Sequence, residues 1–376
     1  MMSSEKLLCE LIALPSVNPA FASGGDSKPG EKNVADFLAA TAAQAGLPVE
    51  FQKVSSDRFN FITRLSPSGK ITKRILLAPH LDTVPAANEK QFCPLKKNGR
   101  IYGRGACDTK GSVAAMLSAL ISLVNDPQRP RQTEIVFAGL VDEEDAQRGS
   151  RALAASGLKA DLAIIGEPTE LKIVSAHKGN LWLRLETRGK AAHGSTPQLG
   201  KNAIHEMARV VDLLETSYRA KLRRRKHPLL GHATVSVGTI SGGTQANVVP
   251  DKCVITADRR TLPGETEQSV RKELKQLFHA KKLSVHIDSS KSAACLPLET
   301  NFQVPVVQEL FCALGQKKAA GVDYFCDAAV LSEAGIPSVV FGPGDIAQAH
   351  TSDEWISIQQ LERATRMLTK YFQTLP

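Results

Sequence analysis

Residues 74–82 read Arg-Ile-Leu-Leu-Ala-Pro-His-Leu-Asp. The run Ile75–Pro79 is apolar without alternation, which marks a strand buried on both faces, and it stops at a histidine and an aspartate. The same form returns three times. Ile135–Val141 ends at Asp142-Glu143-Glu144, Leu162–Gly166 ends at Glu167, and Pro337–Phe341 leads through a glycine-rich turn to His350. Helical stretches separate these runs: Gly30–Ala45, closed by Gly46; the Ala- and Leu-rich Gly111–Val124; and Ile358–Leu375. Short buried strands alternating with helices predict an α/β fold with a mixed, largely parallel sheet.

After Ala176 the pattern changes. Leu181, Leu183 and Leu185 alternate with Trp182, Arg184 and Glu186, so this strand has one wet face. A helix (201–216), two alternating strands (233–240 and 252–258), a helix opening near Pro263 and a strand at 283–287 follow. Strand-helix-strand-strand-helix-strand is the ferredoxin-like order. The sequence therefore predicts a discontinuous α/β domain, residues 1–176 and 290–376, interrupted by an inserted α+β domain at 177–289.

Composition narrows the class. The 376 residues are 42% hydrophobic and 23% charged, as in globular proteins and unlike disordered or collagen-like chains. The longest apolar stretch, Val113–Val124, is broken by Ser118 and Ser122 and is shorter than the ~18–20 residues of a membrane span. Glu5 and Glu10 interrupt the N-terminal apolar patch, unlike a secretory signal. Seven cysteines without a CxxC pair point to reduced thiols and a cytoplasmic location. The net charge of +9 gathers partly in Lys221–His227, a run that reads as a solvated connection. Only Tyr218 lies near enough to stack on a base, so nucleic acid is not the expected partner.

In open α/β sheets ligands gather outside the carboxyl ends of the strands. There stand His80 and Asp82, Glu143 and Glu144, Glu167 and His350, while Asp108 sits in a glycine-rich turn entering a helix. Any one of these acids alone reads as a helix cap or a solvated turn. Together, so many carboxylates without cations would cost roughly several kcal/mol in mutual repulsion. Imidazole plus carboxylate without a thiolate motif suits zinc, cobalt or manganese, and two metals sharing a carboxylate would match the number of donors.

Five segments occur in a telling order: HLDTVP (His80–Pro85), GRGACDTKG (Gly103–Gly111), DEE (Asp142–Glu144), GEPT (Gly166–Thr169), and GPG followed by AHTSDEW (Gly342–Trp355). In these the chain resembles the co-catalytic zinc amidohydrolases that include acetylornithine deacetylase, succinyl-diaminopimelate desuccinylase, aminoacylase and glutamate carboxypeptidases. The resemblance implies a zinc-binding α/β domain with an inserted lid that mediates homodimers. It assigns His80, Asp108 and Glu167 to one divalent ion and Asp108, Glu144 and His350 to the other. Asp82 would orient the His80 imidazole. Glu143 would be the general base toward a metal-bridged water, and the peptide after Asp108 is expected to be cis. In the lid, His193 would supply an oxyanion donor, and Arg260, rather than Arg259, would grip a substrate carboxylate with Asn247 beside it.

The implied activity is hydrolysis of the amide of an N-acyl amino acid, with acetylornithine the leading candidate. A desuccinylase and a glutamate-type carboxypeptidase use the same machinery. Asp323–Asp327 departs from the family's usual threonine-aspartate or cysteine-threonine-glutamate pattern, which leaves the side-chain pocket open. A non-catalytic relative that only binds an amino-acid derivative is the alternative of a different kind.

Overall fold

The computed structural model describes residues 2–21, 30–289 and 294–376. The chain forms two compact units: residues 1–175, 300–320 and 326–376 make one, and residues 176–299 with 321–325 make the other. The expected return to the first domain at residue 290 falls in 290–293, outside the described residues, while residues 294–299 and 321–325, expected in the first domain, group with the second unit.

The first unit holds most of a nine-stranded sheet. Its path runs Val49–Lys53, Phe59–Leu65, Thr133–Gly139, Lys73–Pro79, Leu162–Gly166, Ser338–Val340 and Val174–His177, the last pairing with the short strands Leu298–Glu299 and Ala320–Val322. The four strands in the middle are mutually parallel, and their outer neighbours run antiparallel. This is the mixed α/β sheet predicted from the uninterrupted apolar runs, and Thr133–Gly139 and Leu162–Gly166 are buried at every residue. Helix Lys110–Ser122 is buried almost all round, because helices Ser4–Ile12 and Ile358–Gln373 cover the side that the sheet does not. That explains its Ala-rich, stripe-free sequence.

In the second unit the sheet order is Thr234–Gly242, Lys252–Thr261, Gly179–Arg188, Val285–Ser289, all antiparallel. With helices Ala203–Leu213 and Glu267–Ala280 between strands, this is the ferredoxin-like arrangement. Leu181, Leu183 and Leu185 point into a separate apolar core with Val210, Leu274 and Phe278. The first helix passes through a π-helical turn at Leu214–Tyr218 and continues to Leu222. Among the described residues no helix is long and apolar enough to cross a membrane.

Candidate active site

Parallel strands deliver most of the site from their carboxyl ends. His80 follows Lys73–Pro79, Glu143 and Glu144 follow Thr133–Gly139, and Glu167 follows Leu162–Gly166. Asp108 comes from the turn before helix Lys110–Ser122, and His350 from the loop after Ser338–Val340. The backbone bends sharply here. Asp142 and His350 have left-handed φ values of 72° and 62°, uncommon for residues with a Cβ, and the Asp108–Thr109 peptide is cis.

Asp108 is the centre of the arrangement. Its Oδ1 lies 3.0 Å from His80 Nε2, and its Oδ2 lies 3.3 Å from His350 Nε2. Glu167 Oε1 is 3.8 Å from the same His80 nitrogen, and Glu144 Oε2 is 3.2 Å from the same His350 nitrogen. One carboxylate thus faces two His–Glu pairs, one with each oxygen. One donor atom each from His80, Asp108 and Glu144 lies within 4.8 Å of the other two. Glu143 is buried beside them.

The charges are unbalanced. Burial, together with neighbouring carboxylates, raises the proton affinity of Glu143, Glu144 and Glu167. Hydrogen bonds to Asp108 and Glu144 push the His350 imidazole up to about 10. Burial opposes charging His80, yet the charge of Glu167 and the hydrogen bond to Asp108 raise it. The acids therefore draw positive charge onto the two ring nitrogens that face them. Glu167 Oε1 is also buried without a hydrogen-bond partner among the described residues. Surplus negative charge, an orphaned carboxylate oxygen and a nitrogen–oxygen donor set fit divalent cations. Cys107 stays outside this set: its buried Sγ lies 3.3 Å from the Asp345 carbonyl oxygen.

Asp82 does more than back an imidazole. His80 Nδ1 lies 3.0 Å from the Asp82 carbonyl oxygen and 3.4 Å from its carboxylate. That carboxylate accepts the backbone N–H groups of Glu143 and Glu144, each at 3.1 Å, so it fixes the next two acids as well. Asn18 donates to Asp82 at 2.7 Å and to Asp142 at 3.1 Å. Arg58 donates to Asp142 at 2.5 Å and forks onto Glu31. No local spacing in the sequence marks Asn18, Arg58 or Glu31 for this role. Asp327, in the Asp323–Asp327 segment that departs from the family pattern, is also buried here. Ser150 Oγ donates to it at 2.5 Å, and burial pushes its carboxyl up to about 6.

His193, Asn247 and Arg260 lie in the second unit. His193 pairs with Val248 as an isolated bridge, and the Gly194 N–H donates to the Asn247 carbonyl at 2.7 Å, which brings these two loops together. Strand alternation separates the two arginines. Arg259 is fully buried and bonded to Tyr218 and Glu265. Arg260 faces the other way, held to Asp258 through Nε at 2.9 Å with its guanidinium 5.8 Å from the Phe325 ring centroid. In the basic run, Lys221 and Arg225 are tied to Glu273, and Arg225 also to Glu265.

Residues 76–374 match peptidase family M20/M25/M40. The chain belongs to that family. An acetylornithine deacetylase of Edwardsiella ictaluri is 32% identical over 371 residues, covering 96% of this chain and 94% of that protein. One from Myxococcus xanthus is 33% identical over 356 residues, covering 89% and 90%. The structure of aminopeptidase PepT from Bacillus cereus shares the fold, with a TM-score of 0.78 at 24% identity over 99% of this chain and 98% of that one. As an M20/M25/M40 member the protein is a metal-dependent amidohydrolase.

Proposed function

We propose that the protein removes the acyl group from an N-acyl amino acid, with acetylornithine the first substrate to try, in the cytoplasm. The observation that carries this is the Asp108 carboxylate, which turns one oxygen to His80 and Glu167 and the other to His350 and Glu144. His80, Asp108 and Glu167 would hold one divalent cation, and Asp108, Glu144 and His350 a second, zinc or else cobalt or manganese. Bound there, such ions make water acidic enough to supply hydroxide near neutral pH and polarise an amide carbonyl.

The chain's own groups do the rest. Glu143, buried and of raised proton affinity, accepts a proton from the attacking water and passes it to the amine as the C–N bond breaks. Asp82 holds the Glu143 backbone in place during that transfer. In the inserted domain, His193 donates to the developing oxyanion. Arg260, whose Nε is committed to Asp258, keeps its two terminal nitrogens for a substrate carboxylate next to Asn247. The insertion at 177–289 serves as lid and as the surface of a homodimer. The 32–33% identity to acetylornithine deacetylases supports the acetyl substrate over its rivals.

The test is a panel of N-acetyl, N-succinyl and dipeptide substrates on zinc- and cobalt-reconstituted enzyme. Highest kcat/KM on N-acetyl amino acids is expected. Preference for N-succinyl substrates or C-terminal peptide cleavage would move the assignment to a desuccinylase or carboxypeptidase. Glu143→Ala should abolish turnover with metal content intact, and loss of both metals in that variant would make Glu143 a ligand instead.

A further inference from the structure

We propose that Glu354 is a positioning residue of this site, fixing the backbone of the Gly103–Asp108 turn and hence the place of the Asp108 carboxylate between its two histidines. The inference rests on the reading of Asp108 as a shared donor. Glu354 is 1% exposed, and both of its oxygens are used twice. Oε1 accepts the N–H groups of Cys107 at 2.8 Å and Asp108 at 3.0 Å. Oε2 accepts the N–H of Gly105 at 2.9 Å and the Arg104 guanidinium at 2.6 Å. Its own carbonyl accepts the Gly103 N–H at 3.0 Å.

Other anchors of this turn act elsewhere. Lys110 Nζ donates to the carbonyls of Leu11 and Leu14, and Thr109 Oγ1 donates to the Gly166 carbonyl at 2.6 Å. Both lie after Asp108. Among the described residues Glu354 is the side chain bonded to the N–H of Asp108 itself. It also lies only four residues after His350, so one carboxylate ties the segment carrying the second histidine to the segment carrying the shared aspartate. Hydrogen bonds to an ionised acceptor are roughly twice as strong as neutral ones, and three backbone donors aimed at one carboxylate leave the turn little freedom.

Glu354→Gln keeps the shape but sets an NH2 group against donors and leaves Arg104 without its counter-charge. Cobalt titration of the full chain against a competing chelator should show affinity falling about 10–100-fold, the usual cost of losing a group that orients a metal ligand. The cobalt absorption spectrum should change, and at saturating cobalt kcat should fall with little change in KM. Glu354→Asp, charged but one methylene short, should fall between. Arg104→Gln removes the ion pair but spares the amide contacts. It should lower Tm while holding cobalt affinity within about threefold, since the backbone donors to Glu354 remain.

The proposal is overturned if Glu354→Gln binds cobalt with unchanged affinity and spectrum, whatever its Tm, or if Arg104→Gln weakens cobalt as much as Glu354→Gln. Should Glu354→Gln not fold, the Glu354→Asp and Arg104→Gln comparison decides: cobalt weaker in the first than in the second supports positioning, and the reverse refutes it. A wild-type chain that takes up fewer than two cobalt ions would sink the metal reading itself, before any variant is compared.

Discussion

Arg58 is a single buried cation set against two buried acids, and removing its charge should be costly. It is 9% exposed, while Glu31 and Asp142 are 2% and 0% exposed. Deleting one partner of a buried ion pair typically costs about 3–5 kcal/mol, because the charge left behind has neither water nor counter-ion. Here two acids are left. Arg148 reaches only the outer oxygen of Asp142, at 3.6 Å, from a half-exposed position. Arg58→Met should therefore lose about 4 kcal/mol, a large share of the roughly 5–15 kcal/mol that holds a typical domain folded.

Urea unfolding measures this, with Trp355 as the reporter of the first unit in a Trp182→Phe background. The double variant Arg58→Met/Glu31→Gln should regain at least half of the loss, since neutralising one acid relieves what the missing guanidinium left. The pH dependence has a definite sign. Burial and the charge of Asp82 already make Glu31 bind its proton more tightly in the folded than in the unfolded chain, and removing Arg58, which opposes this, strengthens it further. Lowering the pH from 8 toward 5 should then shrink the deficit of Arg58→Met relative to wild type. A single variant within about 1 kcal/mol of wild type, or a deficit untouched by Glu31→Gln, would refute the argument.

Three other outcomes are expected. Burial lowers the fully buried His177 to about 4, so the unfolded chain protonates first as pH falls from 6.5. Wild-type stability relative to His177→Gln should drop by up to roughly 3 kcal/mol between pH 6.5 and 4, and a pH-independent difference in urea midpoints would count against it. Arg260→Lys should raise KM for carboxylate substrates roughly tenfold or more through loss of the two-point grip, whereas Arg259→Lys should mainly lower Tm; the reverse pattern in steady-state kinetics would reassign the clamp. A Cβ on Gly149 would fall 2.4 Å from the Val141 carbonyl oxygen and 2.7 Å from Asn60 Oδ1. Gly149→Ala should accordingly cost about 1–3 kcal/mol in a thermal melt and reduce turnover by displacing the Val141–Glu144 segment.

What the sequence made legible follows from range. Uninterrupted apolar runs announce strands buried on both faces, and a chemical group just past such a run is placed by the strand itself. His80, Glu144 and Glu167 could be located in this way, one strand at a time. The ferredoxin-like order was legible because Leu181, Leu183 and Leu185 alternate with polar neighbours over a whole strand. The π-helical turn at Leu214–Tyr218 was not, since nothing in that stretch breaks the helical pattern. Nor could spacing reveal Asn18, Glu31 and Arg58, whose partners lie 27 to 124 residues away. Glu354 stood in plain view inside AHTSDEW. Its part could not be read there, because a carboxylate that receives backbone N–H groups leaves no mark in the sequence of the segment that donates them.

Three adjacent acids, Asp142, Glu143 and Glu144, do three different things. Had Asp142, Glu143 and Glu144 continued the strand, the first and third would share a face and repel. The left-handed φ of Asp142 turns the chain at the end of its strand, which lets each side chain leave in its own direction. Asp142 goes back to Arg58 and Asn18, and Glu144 goes to His350. Glu143 is left with no ion-pair partner among the described residues, and its backbone N–H is fixed by Asp82. A carboxylate that is buried, unpaired and rigidly mounted keeps a high proton affinity without being able to collapse onto a neighbour. Those are the properties required of a group that must take a proton and give it up again, and they depend on its two flanking acids being engaged elsewhere.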